Sequence, residues 1–285
     1  MQEKESCIKK YNELSFRLSE ETTKQYSTSF YSASRFFSPK IRRAIHSVYG
    51  FVRLADEIVD SFHDYDKKSL LDKFEEDYLL AYKAGISTNP ILHSFQITVR
   101  EYNIPNEYIG NFLSSMRADL DKKEYKTKTD IENYIYGSAD VVGLICLRIF
   151  CQNDEELFKK LYSSAMSLGS AFQKVNFLRD LREDVQSLGR TYFPNFQLET
   201  FNEETKNKLI EEIEGDFSKA KKGLDQLPKG SQLAVIIAYN YYLRLLKNIK
   251  QRPANMIIEK RIRVSDFNKL SLTLSTIIRY KLRGI

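Results

Sequence analysis

Apolar residues recur three and four positions apart along most of the chain, with scarcely any strict alternation. This period is typical of amphipathic helices. After one or two polar helices within residues 1–35, it predicts helices over about 67–84, 89–102, 106–121, 202–226, 231–251 and 260–281. Eleven glycines and six prolines are few for 285 residues, and no linker rich in Pro, Gly or Ser separates two halves. We therefore expect an all-α fold in a single domain over residues 1–285.

Two helix starts carry capping signals. Ser38 followed by Pro39 is a typical N-cap with proline in the first turn. Thr129 with Glu132 has the spacing of a capping box, in which each residue bonds to the backbone of the other. These signals predict one helix from about residue 39 and another from about residue 130.

The stretch from Gly169 to Pro194 carries a polar stripe on an otherwise apolar helix. Residues three or four apart share one face of a helix, and here that face carries Gly169, Gln173, Asn176, Asp180 and Asp184. Its flanks are apolar, so we expect the stripe to face a cavity. Gly189 and Pro194 then mark a loop.

A second acidic stripe lies on the helix that follows Pro39. Tyr49, Arg53, Asp56 and Asp60 share one face, beside an apolar stripe that includes Val48, Val52, Ala55 and Val59. Burying two like-charged carboxylates is costly unless cations neutralise them. Carboxylate and amide oxygens are the ligands that magnesium prefers. The two stripes together therefore predict a magnesium site.

Other acidic residues have a plainer interpretation. Acidic pairs are common on solvated helix faces, and we assign the cluster Glu75, Glu76 and Asp77 to such a face. We assign Asp119 and Asp121 in the same way.

Composition narrows the functional classes. Cys7, Cys146 and Cys151 form no CxxC pair, which indicates a reducing cytoplasm. The formal charge of +6 reflects a basic C-terminal segment, but no nucleic-acid-binding motif accompanies it. Diphosphate substrates or an anionic membrane surface fit this charge at least as well. We expect no nucleic-acid partner, no signal peptide and no membrane-spanning segment.

Three motifs carry a family resemblance. DEIVD at residues 56–60, YIYG with VVG at residues 134–143, and QKVNFLRDLRED at residues 173–184 followed by GRTYFP occur in this order. The combination resembles the squalene and phytoene synthase family over about residues 22–280, and the motif sequences are most similar to those of bacterial phytoene synthases. The resemblance implies a single isoprenoid synthase helical bundle around a deep central cavity.

The resemblance also implies roles for individual residues. Asp56 and Asp60 match the first metal-binding pair, while Asn176, Asp180 and Asp184 match the second. Those that match diphosphate-binding or reaction-site positions are Ser27, Ser29, Tyr49, Arg53, Tyr134, Gln173, Arg179, Tyr242 and Arg261. Two departures are Glu57, where many members have aspartate, and Asp140, where members often have glycine. A carboxylate at residue 140 either alters the cavity wall or points away from it.

The reaction implied is a magnesium-dependent head-to-head (1'-1) prenyl transfer, with manganese as an alternative ion. Two geranylgeranyl diphosphates would give phytoene through prephytoene diphosphate, in carotenoid biosynthesis, and this is the expectation we adopt. Two farnesyl diphosphates would instead give dehydrosqualene, or squalene if NADPH delivers hydride. The chain has no dinucleotide-binding fingerprint, although squalene synthases of this fold lack one too.

Two other classes remain open at this point. A class I terpene cyclase would use one prenyl diphosphate and a similar second motif. A non-catalytic assembly factor would be expected to have lost the metal-binding aspartates, which this chain retains. An apolar product would favour a cytoplasmic enzyme attached peripherally to the cytoplasmic membrane through its basic C-terminal helices.

Overall fold

Helices account for the regular structure of the described residues. The computed structural model describes residues 2–122, 124–186, 189–193, 201–259 and 261–282. The helices are α1 (Gln2–Tyr26), α2 (Thr28–Ser34), α3 (Pro39–Asp60), α4 (Lys67–Ala84), α5 (Pro90–Glu101), α6 (Asn106–Asp121), α7 (Lys128–Ile135), α8 (Val141–Cys151), α9 (Glu155–Gln186), α10 (Glu203–Leu224), α11 (Lys229–Lys250), α12 (Ala254–Glu259) and α13 (Asp266–Leu282). A π-helical turn, Tyr136–Asp140, joins α7 to α8. Within these ranges, extended backbone pairs only at an isolated bridge between Glu124 and Thr191. The all-α prediction is therefore confirmed.

The core is one contiguous cluster of buried apolar side chains that draws on most of the helices. The long helix α9 lies at its centre and packs against α8, α10, α11 and the π-helical turn. Helix α3 packs against α1, α4, α5, α6 and α8. The two helices that carry the acidic stripes are therefore held by neighbours on several sides, so their side chains project from rigid elements.

The stretch Lys128–Cys151 belongs to this core. Among the described residues, this stretch alone is long and apolar enough to cross a membrane. However, 61% of its apolar window is buried inside the bundle. Residues such as Val141, Leu144 and Ile149 are completely buried against neighbouring helices. The stretch therefore has the burial of a core helix.

The predicted helix over 260–281 is wrong at its start. Residues 261–265 form no helix, and α13 begins only at Asp266. Ile262 and Val264 are both buried while their neighbours Arg261 and Arg263 are exposed. Residues two apart lie about 200° apart on a helix, so a helix cannot bury both on one face, whereas an extended chain can. The alternation of apolar and basic residues in the sequence was therefore the signal that this segment is not helical.

The capping box of α7 lies two residues earlier than predicted. The backbone N–H of Asp130 donates to Thr127 Oγ1 at 3.1 Å, and the backbone N–H of Thr127 donates to Asp130 Oδ2 at 3.1 Å. Asp130 thus takes the role that sequence reasoning gave to Glu132. Aspartate supplies the same carboxylate as the usual Glu or Gln at this position.

The start of α3 and the position of the loop after α9 agree with the predictions from the sequence. Ser38 is the N-cap of α3 with Pro39 in its first turn, although the Ser38 side chain makes no capping hydrogen bond. Gly189 lies in the connection after α9 with a φ of +63°, a conformation that favours glycine. Pro194 lies outside the described residues.

Gly137 lies where the π-helical turn meets α6. A Cβ atom at this position would overlap the Ser115 hydroxyl and come within 2.7 Å of the Asn111 carbonyl oxygen. Gly110, on α6 itself, has nothing within 4 Å of its corresponding position. The two glycines therefore test packing and helix propensity separately.

We expect Gly137→Ala to lower the free energy of unfolding by about 1–3 kcal/mol, because the added methyl group overpacks the contact with α6. Gly110→Ala should raise it by up to about 1 kcal/mol, because alanine is the better helix former and meets no neighbour. Urea unfolding followed by circular dichroism measures both. Equal effects of the same sign would contradict the close approach at Gly137.

Candidate active site

An apolar cavity of about 430 Å³ lies between α2, α3, α8, α9, α10 and α11. Its wall is formed mainly by aliphatic and aromatic side chains, such as Val48, Val142, Leu168 and Leu224. The polar side chains that reach it include Ser27, Tyr49, Gln173 and Tyr242. The cavity is thus an apolar space whose few polar groups include Tyr49 and Gln173 from the two acidic helices.

Helices α3 and α9 both run from this cavity to the acidic residues. On α3, Tyr49 and Val52 line the cavity, and Asp56 and Asp60 follow at the C-terminal end. At 1.5 Å per residue, Asp56 lies about 10 Å further along the helix than Tyr49. On α9, Gly169 and Gln173 line the cavity, and three polar residues follow at the next turns, namely Asn176, Asp180 and Asp184.

The acids of the two helices influence one another electrostatically. Burial raises the pKa of Asp56 to about 7, and the charge of neighbouring Asp60 adds to this rise. Burial likewise raises the pKa of Asp184 to about 7, with further contributions from Asp180 and from Asp60 on the other helix. Asp60 on α3 and Asp184 on α9 are therefore close enough to interact electrostatically. Negative charge at this end of the cavity is only partly compensated.

Asn176 presents a buried oxygen without a partner. Its Oδ1 atom has no hydrogen bond among the described residues. On the neighbouring helix α11, burial raises the pKa of Tyr242, and a hydrogen bond with the Asn176 side chain opposes that rise. Such an oxygen, buried beside a carboxylate pair, could act as a ligand for a cation, which would satisfy it.

No preassembled metal cluster is present in the described part of the chain, because no three His, Cys, Asp or Glu side chains come together there. The acids are instead two pairs on separate helices. Mg²⁺ is usually held by one or two carboxylates together with substrate phosphates. The donor set therefore fits magnesium in chemistry, although the protein side chains alone do not form a closed site.

Arginines compensate part of this negative charge. Asp180 accepts from Arg179 Nε at 2.9 Å, and it pairs with Arg261 Nε at 2.8 Å. Arg261 belongs to the non-helical segment 261–265 that precedes α13, and this segment brings it to the site. Arg53 forms an ion pair with Glu57 and lies 4.5 Å from the centre of the Tyr26 ring. Glu57, which stands where many family members have aspartate, thus pairs with an arginine of its own helix.

Arg190 joins three helices at the acidic end. Its Nη1 atom donates to Asp60 Oδ1 on α3 at 3.0 Å, and its Nη2 atom donates to the backbone carbonyl of Asp119 on α6 at 2.9 Å. Its own backbone N–H donates to the carbonyl of Asp184 on α9 at 2.9 Å. Pairing with the carboxylates of the stripes was one of two interpretations that the sequence left open for Arg190, and the structure shows such a pair with Asp60.

The assignment of Asp119 to a solvated face is wrong. Its side chain is 7% exposed, and its Oδ2 atom accepts a hydrogen bond from the Tyr134 hydroxyl at 2.7 Å. Burial raises the pKa of Asp119 to about 7, and Arg190 opposes this rise. Asp119 follows buried Phe112 and Met116 by seven and three residues, so the helical period already placed it on the inner face of α6. Asp121 is exposed, as expected.

The remaining predicted residues divide between the cavity and the acidic end. Ser27 lines the cavity, and its Oγ atom accepts from the Phe30 backbone as the N-cap of α2. Ser29 is half-buried on α2 and is absent from the cavity wall. Tyr134 is buried and stacks against Tyr192 with ring centroids 5.3 Å apart. It therefore belongs with Asp119 and Arg190.

Asp140 points away from the cavity. It does not contribute to the wall, and its Oδ1 atom accepts from the Ser170 hydroxyl at 2.7 Å. Burial raises its pKa to about 7, with Asp216 on α10 adding to the rise. The adjoining wall is kept thin by Gly169, where a Cβ atom would come within 2.9 Å of the Ala139 carbonyl oxygen. Of the two alternatives for Asp140, the structure therefore supports the one in which the carboxylate points away from the cavity wall.

Solved structures share this architecture. A dehydrosqualene synthase crystal structure in complex with ligand superposes with a TM-score of 0.83 at 21% identity, over 98% of this chain and 99% of that one. Squalene synthase HpnC from Alicyclobacillus acidocaldarius gives a TM-score of 0.73 at 25% identity, over 83% of this chain and 93% of that one. The isoprenoid synthase helical fold is thereby confirmed.

Sequence comparisons give the family. A family model described as squalene/phytoene synthase matches residues 23–268. Chloroplastic phytoene synthases from an Oncidium hybrid cultivar and from Solanum lycopersicum are 29% and 26% identical to this chain, over 86% and 88% of its length. The chain spans 63% and 64% of the length of these two relatives. With two acidic helices meeting at the end of an apolar cavity, the chain belongs to the squalene/phytoene synthase family.

Proposed function

We propose that the protein is a phytoene synthase, which joins two geranylgeranyl diphosphates head to head in a magnesium-dependent reaction. The family consists of prenyl-transferring enzymes that use prenyl diphosphates. The observation that carries the proposal is the course of α3 and α9, which each pass from an apolar cavity wall to an acidic end. Such a site suits a substrate with a long apolar chain and a charged diphosphate.

The metal would be held at the acidic end. Asp56 and Asp60 on α3 and Asn176, Asp180 and Asp184 on α9 supply the oxygen donors. Magnesium bound there, with manganese as the alternative, would neutralise the diphosphate and act as a Lewis acid as the allylic carbon–oxygen bond breaks. Burial first, and neighbouring carboxylates second, raise the pKa values of Asp56 and Asp184, and a bound cation would favour their ionised forms.

The arginines are suited to receive the departing diphosphate. Arg179 and Arg261 both contact Asp180, and Arg53 lies one turn before Asp56 on α3. Guanidinium groups bind phosphate oxygens with paired hydrogen bonds. We infer that these side chains turn from carboxylate to diphosphate when substrate binds. The electron pair of the broken bond leaves with the diphosphate, and an allylic cation remains.

The cavity wall protects that cation. Its aliphatic lining excludes water, which would otherwise capture the cation as an alcohol. The rings of Phe172 and Tyr242 stack with centroids 3.9 Å apart, and those of Phe30 and Tyr49 stack with centroids 5.2 Å apart, all four lining the cavity. Aromatic faces stabilise nearby cations. The double bond of the second substrate then attacks, and proton loss leaves a cyclopropylcarbinyl diphosphate.

A second ionisation, rearrangement and proton loss give the hydrocarbon without a reductant. The choice of the C20 substrate rests on the curated phytoene synthases that the chain resembles. The protein should be incubated with magnesium and either farnesyl or geranylgeranyl diphosphate, with and without NADPH. The extracted product is then identified by mass.

A C40 hydrocarbon formed without NADPH supports the proposal. A C30 hydrocarbon would replace it with a dehydrosqualene or squalene synthase, according to whether NADPH is consumed. A product that retains the carbon number of one substrate would indicate a cyclase. No hydrocarbon from either substrate would contradict an enzymatic function.

Removal of a single acid from either helix tests the metal site. We expect Asp56→Ala and Asp180→Ala each to lower turnover by about 10³-fold or more, because Lewis-acid stabilisation of the leaving group is worth several kcal/mol. Circular dichroism should show the helical content unchanged. Glu76→Ala is the matched control, because its side chain is 64% exposed on α4. Wild-type rates in both aspartate variants would refute the site.

Asp119 serves in this proposal as a positioning residue, acting through Tyr134 and Arg190. We expect Asp119→Asn to lower kcat by about 10–100-fold, as is usual when a partner that orients metal-site residues is lost. Asp121→Asn, an exposed change two residues away, should leave kcat at the wild-type value. Steady-state kinetics at saturating magnesium measures both.

A double-mutant cycle separates positioning from stability. Asp119 and Tyr134 share a hydrogen bond, so the kcat losses of Asp119→Asn and Tyr134→Phe should combine less than additively. If Asp119→Asn lowers the melting temperature but leaves kcat unchanged, its role is structural only.

A further inference from the structure

Helix α13 presents its apolar residues to the outside. Its outward face consists of five large side chains, each 52–81% exposed, namely Phe267, Leu270, Leu274, Ile278 and Leu282. At 100° per residue they fall within an arc of about 120°. They therefore form one continuous stripe along the helix, which we call the α13 stripe.

The inward face of α13 is polar. Thr276 is the one buried residue of this helix, and its Oγ1 atom accepts from Asn240 Nδ2 on α11 at 3.0 Å. The Tyr280 hydroxyl donates to Gln232 Oε1 on the same helix at 2.8 Å. An amphipathic helix on a globular protein normally turns its apolar face to the core. The orientation of α13 is the reverse, which indicates that a second apolar medium covers the stripe.

The charge around the stripe points to an anionic medium. Residues 260–285 contain seven Lys and Arg and one acidic residue, a net charge of +6 that equals the formal charge of the whole chain. Arg263, Arg279 and Lys281 are exposed and form no ion pair within the described part of the chain. The formal charges of the remaining residues therefore sum to zero, and the excess positive charge lies in the C-terminal segment of the sequence that contains the stripe.

We propose that the α13 stripe lies in the surface of an anionic lipid bilayer, with Arg263, Arg279 and Lys281 contacting the headgroups. Apolar side chains beside basic ones are the composition of helices that lie in a membrane interface. A second copy of this chain would bring two such basic segments together, and their mutual repulsion opposes that arrangement.

The position of α13 relates this surface to the cavity. Helix α13 packs on α11, and the opposite side of α11 contributes Ala234, Val235 and Ala238 to the cavity wall. Only α11 therefore lies between α13 and the cavity, which in the proposed function would hold the prenyl chains. The inference goes beyond the proposed reaction, since the surface is defined without reference to the substrate.

Vesicle flotation tests the proposal with the full-length protein and no substrate. Wild type should float with vesicles of equal parts phosphatidylglycerol and phosphatidylcholine, and the double variant Leu274→Ser/Ile278→Ser should partition at least about tenfold less. The double variant Arg279→Gln/Lys281→Gln should also lose about tenfold at low salt. The control Leu79→Ser/Leu80→Ser removes two leucines on α4 that are each 54% exposed, and it should float as wild type does.

Fluorescence supplies an independent measurement. The chain contains no tryptophan, so Phe267→Trp introduces a sole reporter into the stripe. Its emission should shift to shorter wavelength when the anionic vesicles are added, whereas that of Leu79→Trp should not shift. Thermal unfolding of each variant establishes that it is folded.

The proposal fails if wild type does not float at low salt, or if the α4 and α13 variants float equally. It also fails if the stripe instead mediates a dimer, seen as a concentration-dependent mass in light scattering that Leu274→Ser/Ile278→Ser abolishes. These results do not depend on turnover, so they are distinguishable from a failure of the proposed reaction.

Discussion

Mutual repulsion among partly buried carboxylates is the constraint on which this structure depends. Asp56, Asp60, Asp180 and Asp184 approach from two helices, and Asp119 adds a fifth carboxylate from a third. Like charges in a poorly solvated site are tolerated only with compensating cations. The fold supplies part of that compensation with arginines, such as Arg190 on Asp60 and Arg261 on Asp180. A cation bound between the two helices would add to it.

The compensating arginines come from parts of the chain that regular helices do not supply. Arg190 lies in the connection that follows α9, and Arg261 lies in a non-helical segment between α12 and α13. Each reaches carboxylates that lie far from it in sequence, since Arg190 contacts Asp60 and Arg261 contacts Asp180. The irregular segments thus hold the acidic ends of the long helices together, while the helices themselves set the spacing of the acids.

Sequence reasoning succeeded where the signal was local and periodic. The acidic stripes of α3 and α9 and most helix bounds follow from spacing alone, because side chains three and four apart share a face. It failed for Asp119, where an acidic residue was judged by its composition and not by its position on the buried face of α6. It also extended the last helix over residues 261–265, where the alternation of buried and exposed residues was overlooked. The partner of Arg190 stayed open, because partners distant in sequence leave no periodic trace.

The division of α3 and α9 into a wall region and an acidic region has an evolutionary consequence. Residues such as Val48 and Leu168 shape the apolar space, while Asp56 and Asp180 lie on later turns of the same helices. Substitutions in the wall can lengthen or shorten the space without moving the carboxylates, because a rigid helix separates the two by whole turns. Descendants of one ancestral sequence can therefore diverge in product length while inheriting the same ionisation chemistry.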